Sequence, residues 1–242
     1  MERVALGLNR VRTELAQALA SAGRAPDSAR LIAVSKFHPA SAIRAAYAEG
    51  QRDFGENYLQ ELEQKAAELA DLSELRWHMI GHLQRNKARA VAPLVSLIHT
   101  VHSVELVREL DKRASGVSLA GARAFVPGES RLAVLVEVNV GGEAQKSGCA
   151  PEALAELLQA LDEATYLRSV GLMCVPPHTE DPSGAVPYFE QLRHLRDVHG
   201  GAQRLPELSM GMSADLPYAV AAGATIVRVG TAIFGERPRA ER

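Results

Sequence analysis

The sequence predicts a (β/α)8 barrel, on three observations. Eight short runs rich in Val, Ile and Leu recur along the chain, and nearly every one is followed by a stretch with helical spacing. The 242 residues divide among these units at about 30 each, the size of one strand–helix–strand step. Residues with chemical potential also fall where the runs end, the edge on which such barrels carry their sites. A doubly wound sheet is the other arrangement this alternation permits. The units share no residue repeat, so the repetition is architectural.

Taken in order, residues 1–22 place Val4, Leu8, Val11, Leu15, Ala18 and Leu19 on one helical face, ending near Gly23. The first strand is LIAVSK (Leu31 to Lys36), and after Pro39 a helix runs to Ala48, closed by Gly50. Arg52 to Gly55 forms a short second strand, and Glu56 to Ala70 is helical. The third strand is Leu75 to Ile80, stopped by Gly81, with a helix over Gln84 to Val91; the fourth is Leu94 to Val101. Ser103 and Glu105 then open a capped helix to Ala114. Residues 115–130 read as a loop and not as a domain linker. Leu132 to Val140 is apolar enough for burial on both faces, as in a parallel sheet. A loop over Gly141 to Gly148 leads to a helix starting on Pro151 and running to Leu161. The sixth strand is Leu167 to Val175, followed by a surface loop to Gly184 and a helix over Val186 to Val198. Pro206 to Ser209, a helix over Asp215 to Ala222, Ala224 to Val229 and a short helix or tail from Thr231 complete the chain. One domain over residues 1–242 is expected.

Lys and Arg number 27 against 29 Asp and Glu, a formal charge of -2, so the overall charge gives no attraction for nucleic acid or an acidic membrane. Cys149 and Cys174 lack CxxC spacing, and the N-terminus is charged and short of an apolar core segment. These features predict a cytoplasmic protein with reduced thiols. No apolar run approaches the roughly 20 residues that span a bilayer.

The polar strand-end residues are Lys36, Asn57, His82, His102, Asn139, Ser209 and Arg228. A lysine at the mouth of a barrel is desolvated, which lowers its pKa, and a neutral amine condenses with a carbonyl. A lysine that snorkels to water is the plainer alternative. After the last two strands, Ser209-Met210-Gly211-Met212-Ser213 and Arg228-Val229-Gly230-Thr231 supply N–H groups and hydroxyls where this fold often holds phosphate. A phosphorylated aldehyde fits between lysine and cradle. Pyridoxal 5'-phosphate (PLP) meets that description, and so does the substrate of a sugar-phosphate aldolase. His78 and His82 are four apart but divided between a strand and a loop, so no metal site is expected. Arg85, Lys87 and Arg89 read as a solvated face, and the two cysteines as packing residues. Lys65, Lys87 and Lys146 are the other lysines to consider, Lys146 as a secondary PLP acceptor or a solvated loop residue.

The strings LIAVSK, DFGENYLQE, WHMIGHLQRNK, SMGMSADL and VRVGTAIFG, in this order and spacing, resemble the signature segments of the YggS/PROSC family, the pyridoxal phosphate homeostasis proteins. The resemblance covers nearly the whole chain. It implies a barrel similar to the N-terminal domain of alanine racemase, with PLP held as a Schiff base on Lys36. It maps the phosphate pocket onto Ser209, Gly211, Met212, Ser213, Gly230 and Thr231, the pyridine-nitrogen partner onto Arg228, and Asn57 beside the cofactor. Met79 stands where Phe is usual and Glu105 where Asp is common, both away from these positions. An arginine at the ring nitrogen donates a hydrogen bond and leaves that nitrogen unprotonated, which makes the ring a weaker electron sink. No second domain is expected after residue 242 to bring an opposing base. The expectation is therefore a monomeric PLP carrier without catalytic residues, serving apo PLP-dependent enzymes as recipients. A racemase-like PLP enzyme is the alternative.

Overall fold

The computed structural model describes residues 2–117, 124–143 and 145–236. Its eight parallel strands are β1 (Arg30–Val34), β2 (Asp53–Glu56), β3 (Arg76–Met79), β4 (Leu97–Val101), β5 (Leu132–Glu137), β6 (Leu167–Met173), β7 (Glu207–Ser209) and β8 (Ile226–Val229). They pair in chain order and close into a barrel, with Arg30 to Ala33 of β1 in register with Ile226 to Val229 of β8. The predicted fold class is therefore the observed one.

Alternation along each strand divides the apolar residues between two layers. Ile32, Leu97, Ala133, Leu135, Val170, Met173 and Ile226 fill the lumen, and Phe125 closes its floor. The residues between them, such as Phe54, Ile98, Val134 and Val227, face outwards and pack under the helices. Those helices are α1 (Glu2–Ser21), α2 (Ala40–Ala48), α3 (Leu59–Glu68), α4 (Ala88–Val91), α5 (Val104–Ala114), α6 (Leu154–Asp162), α7 (Val186–Val198), α8 (Gly201–Arg204), α9 (Leu216–Ala221) and α10 (Thr231–Phe234). In α1 the buried residues are Val4, Leu8, Val11, Leu15 and Leu19, the predicted stripe apart from Ala18, which is partly buried against it. Ser103 Oγ accepts from the Leu106 N–H at 3.2 Å, giving α5 its expected cap.

Boundaries shift where side chains and turns intervene. β1 stops at Val34, because Phe37 adopts a left-handed φ of 66° and reverses the chain. Glu56 belongs to β2, paired with Met79, so α3 begins only at Leu59. Leu94 is held in a turn by the Val91 carbonyl, which delays β4 to Leu97. β5 ends at Glu137, whose carbonyl accepts from the Cys149 N–H, and the Asn139 N–H then donates to the Cys149 carbonyl, bracketing Val138 against that loop. The four-residue α8 is unexpected; it begins at Gly201, after Gly200 in a left-handed conformation with φ 111°. The 115–130 stretch falls partly outside the described residues, as do the ends of the predicted 1–242 domain and of the C-terminal tail. Its described part supplies Phe125, over which the Arg30 guanidinium stacks at 4.5 Å.

Candidate functional site

Lys36 is half-buried in a turn immediately above β1, and both its neighbours are tied to β2 and α3. The Ser35 hydroxyl donates to Glu56 Oε1 at 2.7 Å, and the Phe37 N–H donates to Glu61 Oε2 at 2.7 Å. Between them, Lys65 Nζ donates to the Ser35 carbonyl at 2.9 Å, to Glu56 Oε1 at 2.8 Å and to Glu61 Oε2 at 2.9 Å. Burial raises the Glu56 pKa against the opposing effect of Lys65 and Ser35. Lys65 is thus a buried structural ammonium and not a candidate amine. The positive φ at Phe37 costs about 1 kcal/mol for a non-glycine residue, and this ionic cluster holds the chain in that conformation.

On the adjacent strand β8, in register with Ile32 of β1, stands Arg228, 6% exposed. One of its terminal nitrogens donates to Ser209 Oγ at 2.6 Å and the other to the Cys174 carbonyl at 3.0 Å. Ser209 Oγ also contacts His99 Nδ1 at 2.9 Å, His99 Nε2 contacts His78 Nδ1 at 3.1 Å, and His78 Nε2 contacts Asp53 Oδ1 at 2.9 Å. Burial drives the pKa of both histidines down, so both are neutral. Burial also works against the Asp53 charge, but bonds from Arg76 and His78 overcome it and hold that carboxyl well below its usual range. Glu137, at the end of β5, shares the lumen face with Ala133 and Leu135; its buried Oε2 has no hydrogen-bond partner among the described residues. Burial pushes its pKa up to about 7, with Arg228 the opposing influence.

The remaining predicted residues fall on the same rim. Asn57 follows β2, with a buried Oδ1 that has no hydrogen-bond partner among the described residues, and lines a cavity of about 250 Å³ with Tyr58, Met79, His82 and Lys87. In the loop after β7, Gly211 has φ 94°, a value an L-residue rarely adopts, and the exposed Met212 gives its N–H to Asp215 Oδ1 at 2.5 Å. Ser213 is half-buried there. Gly230 follows β8 so closely against β1 that a Cβ would lie 3.1 Å from the Val34 carbonyl oxygen, and Thr231 is exposed at the start of α10. The structure thus brings the two glycine loops to the side of the mouth where β1 emerges. It turns the Ser209 hydroxyl inwards, to Arg228 and His99. Asn139 and Lys146 serve the loop after β5: Asn139 Nδ2 donates to the Glu143 carbonyl at 2.9 Å, and Lys146 Nζ pairs with Glu143 and donates to the Pro176 carbonyl at 3.0 Å. The His82 and His102 rings lie 4.7 Å apart, and His82 also bonds Ser147.

Sequence reasoning missed Asp53, His99, Glu137 and the Glu56–Lys65–Glu61 cluster. It met His78 only as half of a rejected metal pair. A signal existed in LIHTV and RWHM, where a histidine interrupts a buried apolar strand and so requires a buried polar partner.

The chain matches the alanine racemase N-terminal domain family over residues 8–238. It is 44% identical over 239 residues to the pyridoxal phosphate homeostasis protein of Pseudomonas aeruginosa, covering 98% of this chain and 97% of that one. Among solved structures, PipY of Synechococcus elongatus with PLP bound is 40% identical with a TM-score of 0.75, covering 91% of this chain and 100% of that one. Alanine racemase of Corynebacterium glutamicum, 19% identical with a TM-score of 0.67 over 100% of this chain and 63% of that one, shares the fold. With the barrel, the lysine turn and the buried arginine in place, the chain belongs to the alanine racemase N-terminal domain family, in the group of the pyridoxal phosphate homeostasis proteins.

Proposed function

We propose that this protein binds PLP, joined to the Lys36 amine through a Schiff base, and serves in homeostasis of that cofactor without catalytic turnover. The observation that carries the reading is the buried Arg228 guanidinium, locked onto Ser209 and Cys174 on the strand that pairs with β1. Such a group donates hydrogen bonds and releases no proton, so a pyridine nitrogen facing it stays unprotonated and the ring withdraws electrons weakly. When bound, the cofactor supplies an aldehyde that condenses with amines and a phosphate that anchors it.

The chain's own residues fit that group. Lys36 offers the amine, held by the Glu56–Lys65–Glu61 cluster through its neighbours. Asn57 offers a buried acceptor with no hydrogen-bond partner among the described residues. Gly211, Met212, Ser213, Gly230 and Thr231 line the phosphate end, where the missing Cβ of Gly230 leaves room beside β1. Ser209 borders the ring end through Arg228. The printed name of the P. aeruginosa relative and the PLP held by PipY support the assignment. We further assign one domain, a monomer, a cytoplasmic setting and delivery to apo PLP-dependent enzymes; two buried, unpaired cysteines accord with reducing surroundings. Among the described residues no helix is long and apolar enough to cross a membrane.

The test is direct. Purified protein incubated with PLP should develop a visible absorbance band, and borohydride should trap the cofactor on the peptide containing Lys36. Lys36→Ala should abolish both, and persistence of either would place the attachment elsewhere. Amino-acid turnover by the loaded protein at about 1 per second or faster would overturn the carrier reading in favour of a racemase-like enzyme.

A further inference from the structure

We propose that Asp53, His78, His99 and Ser209 form a one-way hydrogen-bond relay through the barrel lumen that positions Arg228 from the opposite end of the barrel. The members come from β2, β3, β4 and β7 and reach Arg228 on β8. The consequence for the cofactor rests on the function proposed above; the relay itself does not.

The direction of every bond follows from its two ends. Arg228 has no acceptor, so at 2.6 Å it donates to Ser209 Oγ. At the floor, the Asp53 carboxylate is already the acceptor for Arg76 Nε at 2.8 Å and a terminal Arg76 nitrogen at 2.7 Å, and at 2.9 Å it accepts from His78 Nε2 as well. A neutral imidazole carries one N–H, so His78 Nδ1 is an acceptor. The donor facing it at 3.1 Å is His99 Nε2, which leaves His99 Nδ1 to accept. Ser209 then gives its one proton to His99 at 2.9 Å and keeps its lone pairs for Arg228. Both histidines are neutral Nε2–H tautomers, and no proton along the string has another place to go. Asp53, His78, His99 and Ser209 are buried, and every buried polar atom of these four side chains has a hydrogen-bond partner.

This arrangement does more than satisfy buried groups. Aligned dipoles in a low-dielectric interior reinforce one another, so the negative end at Asp53 strengthens the acceptor that Arg228 meets at Ser209. The Asp53 charge is itself balanced at the floor by Arg30 and Arg76. With its second terminal nitrogen on the Cys174 carbonyl, the guanidinium plane keeps one orientation. Ser209, His99 and His78 act on the cofactor only through Arg228 and are positioning residues.

The relay is tested in the full-length protein without cofactor, by nitrogen-15 NMR of labelled histidine. The expected result is two buried histidines in the neutral Nε2–H form. Ser209→Ala should shift the His99 Nδ1 resonance towards that of an unbonded acceptor, and Ser209→Thr should restore it. An Nδ1–H tautomer or an imidazolium at either histidine, or a His99 signal unmoved by Ser209→Ala, would overturn the relay. In the presence of PLP, Ser209→Ala should bind about tenfold more weakly, the loss of a hydrogen bond to a charged group, and still give the borohydride adduct on Lys36. Ser209→Thr should recover the affinity. Unchanged affinity in Ser209→Ala would overturn the positioning role. Failure of the wild-type protein to take PLP on Lys36 would instead defeat the proposed function, with the tautomers still deciding the relay.

Discussion

Lys36 and Lys65 carry the same amine and occupy different places in one cluster. Lys65 spends its three donors on two carboxylates and a carbonyl, whereas Lys36 sits in the turn those same groups hold in place. Glu137 shows a third outcome for a buried carboxyl, with one oxygen that has no hydrogen-bond partner among the described residues and a pKa raised to about 7. Its sign for stability is defined. Between the ordinary value of 4.5 and about 7 the folded protein holds a proton that the unfolded chain has released. Stability therefore falls as pH rises through that window, by up to about 3 kcal/mol from this group. Glu137→Gln should remove this component: the variant should match wild type in denaturant midpoint below the window and exceed it above. Equal pH profiles for the two proteins would show that Glu137 titrates normally. The comparison with the variant isolates Glu137, because the buried histidines, with lowered pKa values, add stability as pH rises towards their ordinary value.

The strands and helices place the rim through their ends more than their middles. The loop after β3 passes so close to the loop after β2 that a Cβ on Gly81 would collide with the Asn57 carbonyl. Thr100 Oγ1 donates to the Gly81 carbonyl at 2.7 Å, fixing the contact from β4. Gly81→Ala must therefore push Asn57 out of place, and such overpacking costs about 1–3 kcal/mol. The expected outcome is a lower melting temperature together with weaker PLP binding, read by the visible band. Normal PLP binding in a destabilised Gly81→Ala protein would separate Asn57 from the cofactor site. The same economy governs β1, whose terminal turn is defined by side chains of β2 and α3, so that the position of Lys36 depends on elements later in the chain.

Closure of β1 onto β8 makes the barrel continuous, and its lumen string ties five strands together in addition to the ladder. Trp77, the sole tryptophan, lies outside the lumen against Phe54 at a ring separation of 6.3 Å. Its fluorescence and the far-ultraviolet circular dichroism should lose native signal in one coincident denaturant transition. Separated midpoints would show that part of the barrel unfolds alone. The barrel itself was readable from the chain, since eight apolar runs alternating with amphipathic segments leave few ways to bury both faces of each strand. The strand ends were also readable, and with them the location of Lys36, Asn57, Arg228 and the two glycine loops, because Pro, Gly and polar residues mark where apolar runs stop. Pairings between distant elements were not readable. Asp53 and Arg228 lie far apart in sequence, and Lys65 reaches Ser35 only after α3 has packed on β1 and β2. Hydrogen bonds of this kind leave no local periodicity, because the partner of a buried polar group is set by strand order and register. Residue types along the chain determined the barrel and its polar rim; closure of the sheet decided that Ser209 serves Arg228, that Lys65 serves the turn of Lys36, and that Glu137 Oε2 meets no hydrogen-bond donor among the described residues.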